Sequence, residues 1–295
     1  MATTSRSPYM TPELIRSRRR HLIYTIAWKT MALLILAAVS AFIVFPALWM
    51  LSTALKPDDQ VALSNWIPRP PVWRNFIEAW TSVPFTRYTI NTALYSGACV
   101  LGETLSSSLV AYGFARLRFP GRNVLFGLML STMMIPGMVT MIPQYVLFSK
   151  MGWVGSYLPL VVPKFFGTPF FIFLLRQMFM GIPEELCEAA RIDGANEFWI
   201  YSRVILPLSK ASLATVALMS FEGAWNAYVG PVLYISNTKL YTVQVGLAMF
   251  KSSSQTEWQH LMAASIIVML PIIILFSAFQ RYFTEGAAIS GGVKG

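Results

Sequence analysis

Six apolar stretches alternate with polar connectors along the chain, roughly over residues 30–54, 91–115, 124–148, 156–180, 210–235 and 260–283. Each is about 24 to 26 residues long, enough for an α-helix to cross a bilayer with some tilt. Runs this long and this uniformly apolar exclude barrel strands, so the pattern predicts an all-α membrane protein of six spans. The connector over 55–90 holds Pro57, Pro68, Pro70 and Pro71 together with Trp66, Trp73 and Trp80. Its prolines forbid one continuous helix there, while residues 75–83 fit a short helix at the membrane surface. The tryptophans suit interfacial anchoring, with a docking surface for a soluble protein as the alternative. The connector over 181–209 predicts two short helices with a sharp turn between them. Pro183 suits a first helical turn, acidic residues follow it, Gly194 ends that helix, and a second run reaches from Asn196 to Val204 before Pro207.

Composition agrees with this pattern. The chain of 295 residues is 55% hydrophobic and only 12% charged, against about 25% charged for a soluble domain. The net charge of +10 reads as topology and not as nucleic-acid binding, because no basic run is interleaved with a stacking platform. The N-terminal tail (1–29), the connectors after spans two and four, and the C-terminal tail (284–295), together with Arg176, Lys210 and Arg281 at the adjoining span ends, carry fifteen Lys and Arg; the opposite side carries seven. Both termini and the 181–209 connector are therefore expected in the cytoplasm. The first apolar run is too long for a cleaved leader and is expected to remain as the first helix. Cys99 falls in a span and Cys187 in a cytoplasmic connector, so no disulfide is expected between them.

Glu188-Ala189-Ala190 is followed after three residues by Gly194, and after nine more by Val204-Ile205-Leu206-Pro207. This spacing resembles the cytoplasmic loop that couples the membrane subunits of ABC importers to their ATPases; Val204 stands where relatives usually carry Ile. Phe119-Pro120-Gly121-Arg122, Phe173-Leu174-Leu175-Arg176-Gln177, Trp225-Asn226, Tyr241-Thr242, Met262-Ala263-Ala264-Ser265, Gln280-Arg281-Tyr282-Phe283 and Val293-Lys294-Gly295 extend the likeness over nearly the whole chain. Together they resemble the six-span permease subunit of maltose-type carbohydrate importers, of type I fold. The resemblance implies a permease of the bacterial inner membrane, with Glu184, Glu185, Glu188, Ala189, Ala190, Asp193 and Gly194 meeting the ATPase. It also implies its partners: a second permease, two nucleotide-binding subunits that hold ATP and Mg, an extracytoplasmic binding protein, and a sugar. Ala227 departs from the family, whose members often carry an acid there, and this weakens any transfer of substrate contacts.

Glu103, Lys164 and Glu222 fall inside predicted spans. A charge at the bilayer centre costs at least about 2.5 kcal/mol, so such residues face protein or water and mark a pathway. For Lys164, pairing with a carboxylate or snorkelling to the interface is the structural alternative. Trp225, Asn226 and Tyr228 supply aromatic and hydrogen-bonding groups suited to sugar, with Trp225 and Tyr228 three apart and able to share a helix face. Packing is the alternative for them. Pro136, Pro143, Pro163, Pro169 and Pro271 are expected to kink their spans. The chain has no P-loop, so hydrolysis is assigned to partners, with no cofactor, catalytic residue or metal site on this chain. Within the importer class a permease for a different solute is the runner-up reading; a gradient-driven transporter using Glu103 and Glu222 as proton sites, or an intramembrane enzyme, are the competing classes outside it.

Overall fold

The computed structural model describes residues 12–61, 65–251 and 256–291, with side chains between 24 and 280. Two compact units divide the chain after Val72. The first is built on α1 (Pro12–Ala54), which begins well before the predicted first span. Within its portion Tyr24–Ala54, an 18-residue stretch has a mean hydropathy of 2.6 and is not buried in protein, so its apolar surface needs lipid as solvent. Beyond it the chain folds back: the Val72 N–H donates to the Leu55 carbonyl at 2.9 Å. Trp66 packs edge-on against Phe45 and Trp49 of α1, at 4.9 and 5.0 Å between ring centres.

The second unit opens with α2 (Arg74–Ser82), close to the short helix expected from sequence. Next comes α3 (Phe85–Arg116), the spine of the unit. The middle of its buried face is rich in small residues: Ser96, Cys99, Gly102, Ser107, Ser108 and Ala111. Small residues let helix backbones approach closely. A Cβ on Gly102 would meet the Phe165 ring at 2.8 Å.

The third predicted span is not one helix. It divides into α4 (Arg122–Ser131), a 3-10 turn, and α5 (Gly137–Lys150), with a 97° bend between the halves. The cause is Pro136, which lacks an N–H and drives Ile135 out of the helical region, to φ −82° and ψ 116°. The fourth is also interrupted. After α6 (Leu158–Val161) and a 3-10 turn, Gly167 adopts φ +86°, and α7 (Pro169–Met180) starts afresh.

The following connector forms α8 (Glu184–Ile192), α9 (Glu197–Ile200), a π-helical turn over Tyr201–Ile205, and α10 (Leu206–Leu208). The fifth predicted span splits into α11 (Lys210–Trp225) and α12 (Val229–Tyr234). Pro231 has no N–H to give the Ala227 carbonyl, and its ring would clash there, so the helix ends first. After α13 (Val243–Ala248), α14 (Trp258–Gly291) runs past both ends of the predicted sixth span. Among the described residues, four helices are long and apolar enough to cross a membrane, or up to six if each of two bent pairs counts as one span. α7 and α11 pack along α3, and α14 packs on α11. The main core joins Ala111, Tyr112, Leu175, Phe179 and Val216 to Cys187, Ile200 and Ile205 of the connector. Cys99 sits in another cluster, and both thiols are free.

Candidate functional site

Two places gather the residues singled out by sequence: the connector after α7, and a cavity beside the middle of α3. In the connector, Glu184 and Glu185 occupy the first turn of α8, where unpaired backbone N–H groups favour negative charge. Cys187 and Ala190 turn inward to the core, while Glu185, Glu188, Ala189, Ile192 and Asp193 face outward. Ile192 is 86% exposed, an apolar side chain presented among acids. The end of α8 is a Schellman turn. Gly194 at φ +84° donates to the Arg191 carbonyl at 3.0 Å, and Ala195 donates to the Ala190 carbonyl at 2.9 Å. The Asn196 side chain then accepts from the Trp199 N–H at 2.8 Å and starts α9. A groove of about 530 Å³ opens between the two helices, lined by Ala189, Ala190, Asp193, Gly194 and Trp199 among others. Glu184, Glu185 and Glu188 lie outside its wall.

Sequence reasoning missed what holds this connector to the bundle. Ser108, Tyr112 and Arg116 recur every four residues on one face of α3, and each bonds to the connector region. Ser108 and Tyr201 share a hydroxyl bond of 2.7 Å, and Tyr112 donates to Glu197 at 2.5 Å. Arg116, buried, donates to the Phe179 and Ile182 carbonyls and pairs with Glu184 at 2.6 Å. Arg191 closes the chain, 2.9 Å from Glu197 and 3.5 Å from Glu184. The hydrogen bond from Arg116 holds the Glu184 carboxyl below its ordinary range, and that from Arg191 does the same for Glu197. The four-residue spacing was visible in the sequence, but Arg116 registered there only as a topology charge.

The cavity measures about 1110 Å³ and is lined by Tyr95, Glu103, Gln144, Lys164, Thr168 and Ser220 among others. Glu103 is 3% exposed. Its Oε1 accepts from Lys164 Nζ at 2.7 Å and from Thr168 Oγ1 at 2.8 Å, and its Oε2 accepts from Ser220 at 2.5 Å. One carboxylate thus gathers groups from both sides of the Gly167 break and from α11. Of the six predicted pathway residues, the structure brings only Glu103 and Lys164 together. Glu222 is exposed away from the cavity wall. Trp225 is buried and its indole donates to the Val268 carbonyl at 3.1 Å. Asn226 accepts from Gln244 at 3.2 Å, and Tyr228 is half exposed. Because α11 ends at Trp225, the three-residue spacing does not place Trp225 and Tyr228 on one helix face. Among the described residues no three His, Cys, Asp or Glu side chains are grouped to hold a metal.

Residues 105–288 match the family described as "binding-protein-dependent transport system inner membrane component". The chain is 33% identical over 256 residues to the probable ABC transporter permease protein YurM of Bacillus subtilis, covering 86% of this chain and 84% of that protein. It is 34% identical over 265 residues to the arabinooligosaccharides transport system permease protein AraQ of Halalkalibacterium halodurans, with 88% and 94% covered. It is likewise 34% identical over 254 residues to the sn-glycerol-3-phosphate transport system permease protein UgpE of Yersinia pestis, with 83% and 90% covered. Its fold is similar to a chain of a bacterial ABC transporter involved in import of the acidic polysaccharide alginate, with TM-score 0.73, 21% identity, and 94% and 100% covered.

Proposed function

Because this chain belongs to the family of binding-protein-dependent transport system inner membrane components, we propose that it is a pore-forming permease subunit of an ABC importer for carbohydrates. One observation carries the coupling role. The outward surface of α8, with Glu188, Ala189, Ile192 and Asp193, is exposed on its far side and tied on its near side to α3 by Arg116, Glu184, Arg191, Glu197 and Tyr112. A nucleotide-binding subunit seated on that surface pulls on α3 itself, and α3 carries Glu103 into the cavity wall. Two such subunits hold ATP and Mg, a second permease completes the pore, and an extracytoplasmic protein delivers the sugar. ATP shifts the assembly to its outward-open state only by binding that state better. Both termini and the 181–209 connector lie in the cytoplasm. Relatives are named for arabinooligosaccharides and for sn-glycerol-3-phosphate alike, which leaves the charge class of the solute to be found in the cavity.

The test is purification of the tagged chain in mild detergent, followed by mass spectrometry. A P-loop ATPase, a second multi-span permease, and ATP-dependent sugar uptake after reconstitution are expected. A lone chain that transports in liposomes without ATP would replace this reading with a gradient-driven one, and would make Glu103 the first residue to change.

A further inference from the structure

We propose that the Glu103–Lys164 pair makes the cavity of this chain selective for uncharged, hydroxyl-rich sugars and discriminates against phosphorylated or uronate sugars. The inference rests on the permease reading above. Among the described residues, Glu103 and Lys164 are the two charged side chains on the cavity wall, and they cancel each other at 2.7 Å. The carboxylate is committed: three donors, from Lys164, Thr168 and Ser220, fill most of its roughly four lone-pair positions. The ammonium is not. Its side chain is 40% exposed, and Glu103 is the acceptor at its Nζ. An ammonium has three N–H donors, so two remain for the cavity, carrying donor capacity without net charge in the site.

A hydroxyl or ring oxygen of a sugar accepts from these donors at no electrostatic penalty, and Gln144 offers a further donor and acceptor on the same wall. A phosphate or carboxylate binding there would lie within a few ångströms of the buried Glu103 carboxylate. It would leave the cavity with net negative charge among apolar walls such as Met138, Met141 and Phe148. Like charges so placed oppose one another, and low-dielectric surroundings strengthen the opposition. A cavity built for anions needs a cation whose charge is not already matched, and this wall offers none among the described residues.

The experiment uses the whole complex with its binding protein in proteoliposomes, supplied with a panel of uncharged oligosaccharides, sugar phosphates and uronates. Uptake of an uncharged sugar is expected, with the charged forms excluded. Glu103→Gln and Lys164→Met each leave one uncompensated charge and should lower uptake of the uncharged sugar roughly tenfold or more. The double variant, neutral again, should recover most of it. Glu103→Gln alone should also become sensitive to inhibition by uronates, a readout that a purely structural role would not move. Uptake of a sugar phosphate or uronate by the unmodified complex overturns the inference while leaving the permease reading intact, as does a double variant no better than the singles. ATP-driven uptake of a non-sugar solute, with no sugar taken up, overturns the inference together with the carbohydrate assignment.

Discussion

Arg116 shows how one residue acquires a role that its neighbours in sequence do not announce. It ends α3, where basic residues suit the negative end of a helix. Its planar guanidinium reaches two carbonyls and a carboxylate at once, a geometry that Lys does not reproduce. Arg116→Met should cost about 2–3 kcal/mol of stability, since charged hydrogen bonds to Glu184, Phe179 and Ile182 are lost and the Ile182 carbonyl loses its donor. Arg116→Lys should restore stability better than transport per ATP hydrolysed; equal recovery of both would reduce Arg116 to simple packing. The two carboxylates in this chain of contacts predict its pH behaviour. Glu184 and Glu197 both sit below the ordinary carboxylate range when folded. Their contribution is therefore complete above the unfolded value and is lost as pH falls through the lower folded values. Hydrogen-exchange protection factors in α8, corrected for the intrinsic pH dependence of exchange, should hold from neutral pH down to the ordinary carboxylate range and fall only below it. A fall in protection just under neutral pH would contradict this.

At the scale of elements, the connector is a helix, a left-handed turn and a second helix, and the turn depends on one backbone conformation. Gly194 has open space around the position of a Cβ, so any substitution there acts through φ +84° and not through a clash. Gly194→Ala should cost about 1 kcal/mol and leave partial coupling. Gly194→Pro cannot adopt that φ and also loses the bond to Arg191; it should uncouple transport while leaving membrane insertion intact. Normal substrate-stimulated ATPase in the Gly194→Pro complex would refute the role. This connector was legible in the sequence, because Pro183, Gly194 and Asn196 act through local backbone preferences. Predicted spans three and five were legible only as apolar length. Pro136 marked where span three fails, whereas the break before Pro231 in span five was not anticipated, and how far the halves swing apart depends on what they pack against.

For the whole molecule, the distribution of basic residues predicts which surfaces face which side. Cys99 and Cys187 are buried, so introduced cysteines should label over a low background. In intact cells, a membrane-impermeant maleimide should label Asp59→Cys, on the loop before α2, and spare Glu185→Cys, on α8; both native side chains are exposed. The opposite result would invert the topology and remove the connector from reach of a cytoplasmic ATPase.

Apolar run length, the count of arginines and lysines on each side, and the spacing from Glu188 to Pro207 were enough to determine membrane insertion, helical class and family, because each depends on residues near one another in the chain. Tertiary structure alone decided that Glu103 pairs with Lys164, that Ser108, Tyr112 and Arg116 grip the connector, and that Trp225 packs instead of facing the cavity. Apart from the bond between Trp225 and Val268, 43 residues apart, these contacts join residues about 60 or more positions apart. Helix periodicity says which side of its own helix a residue occupies, but not which partner waits there.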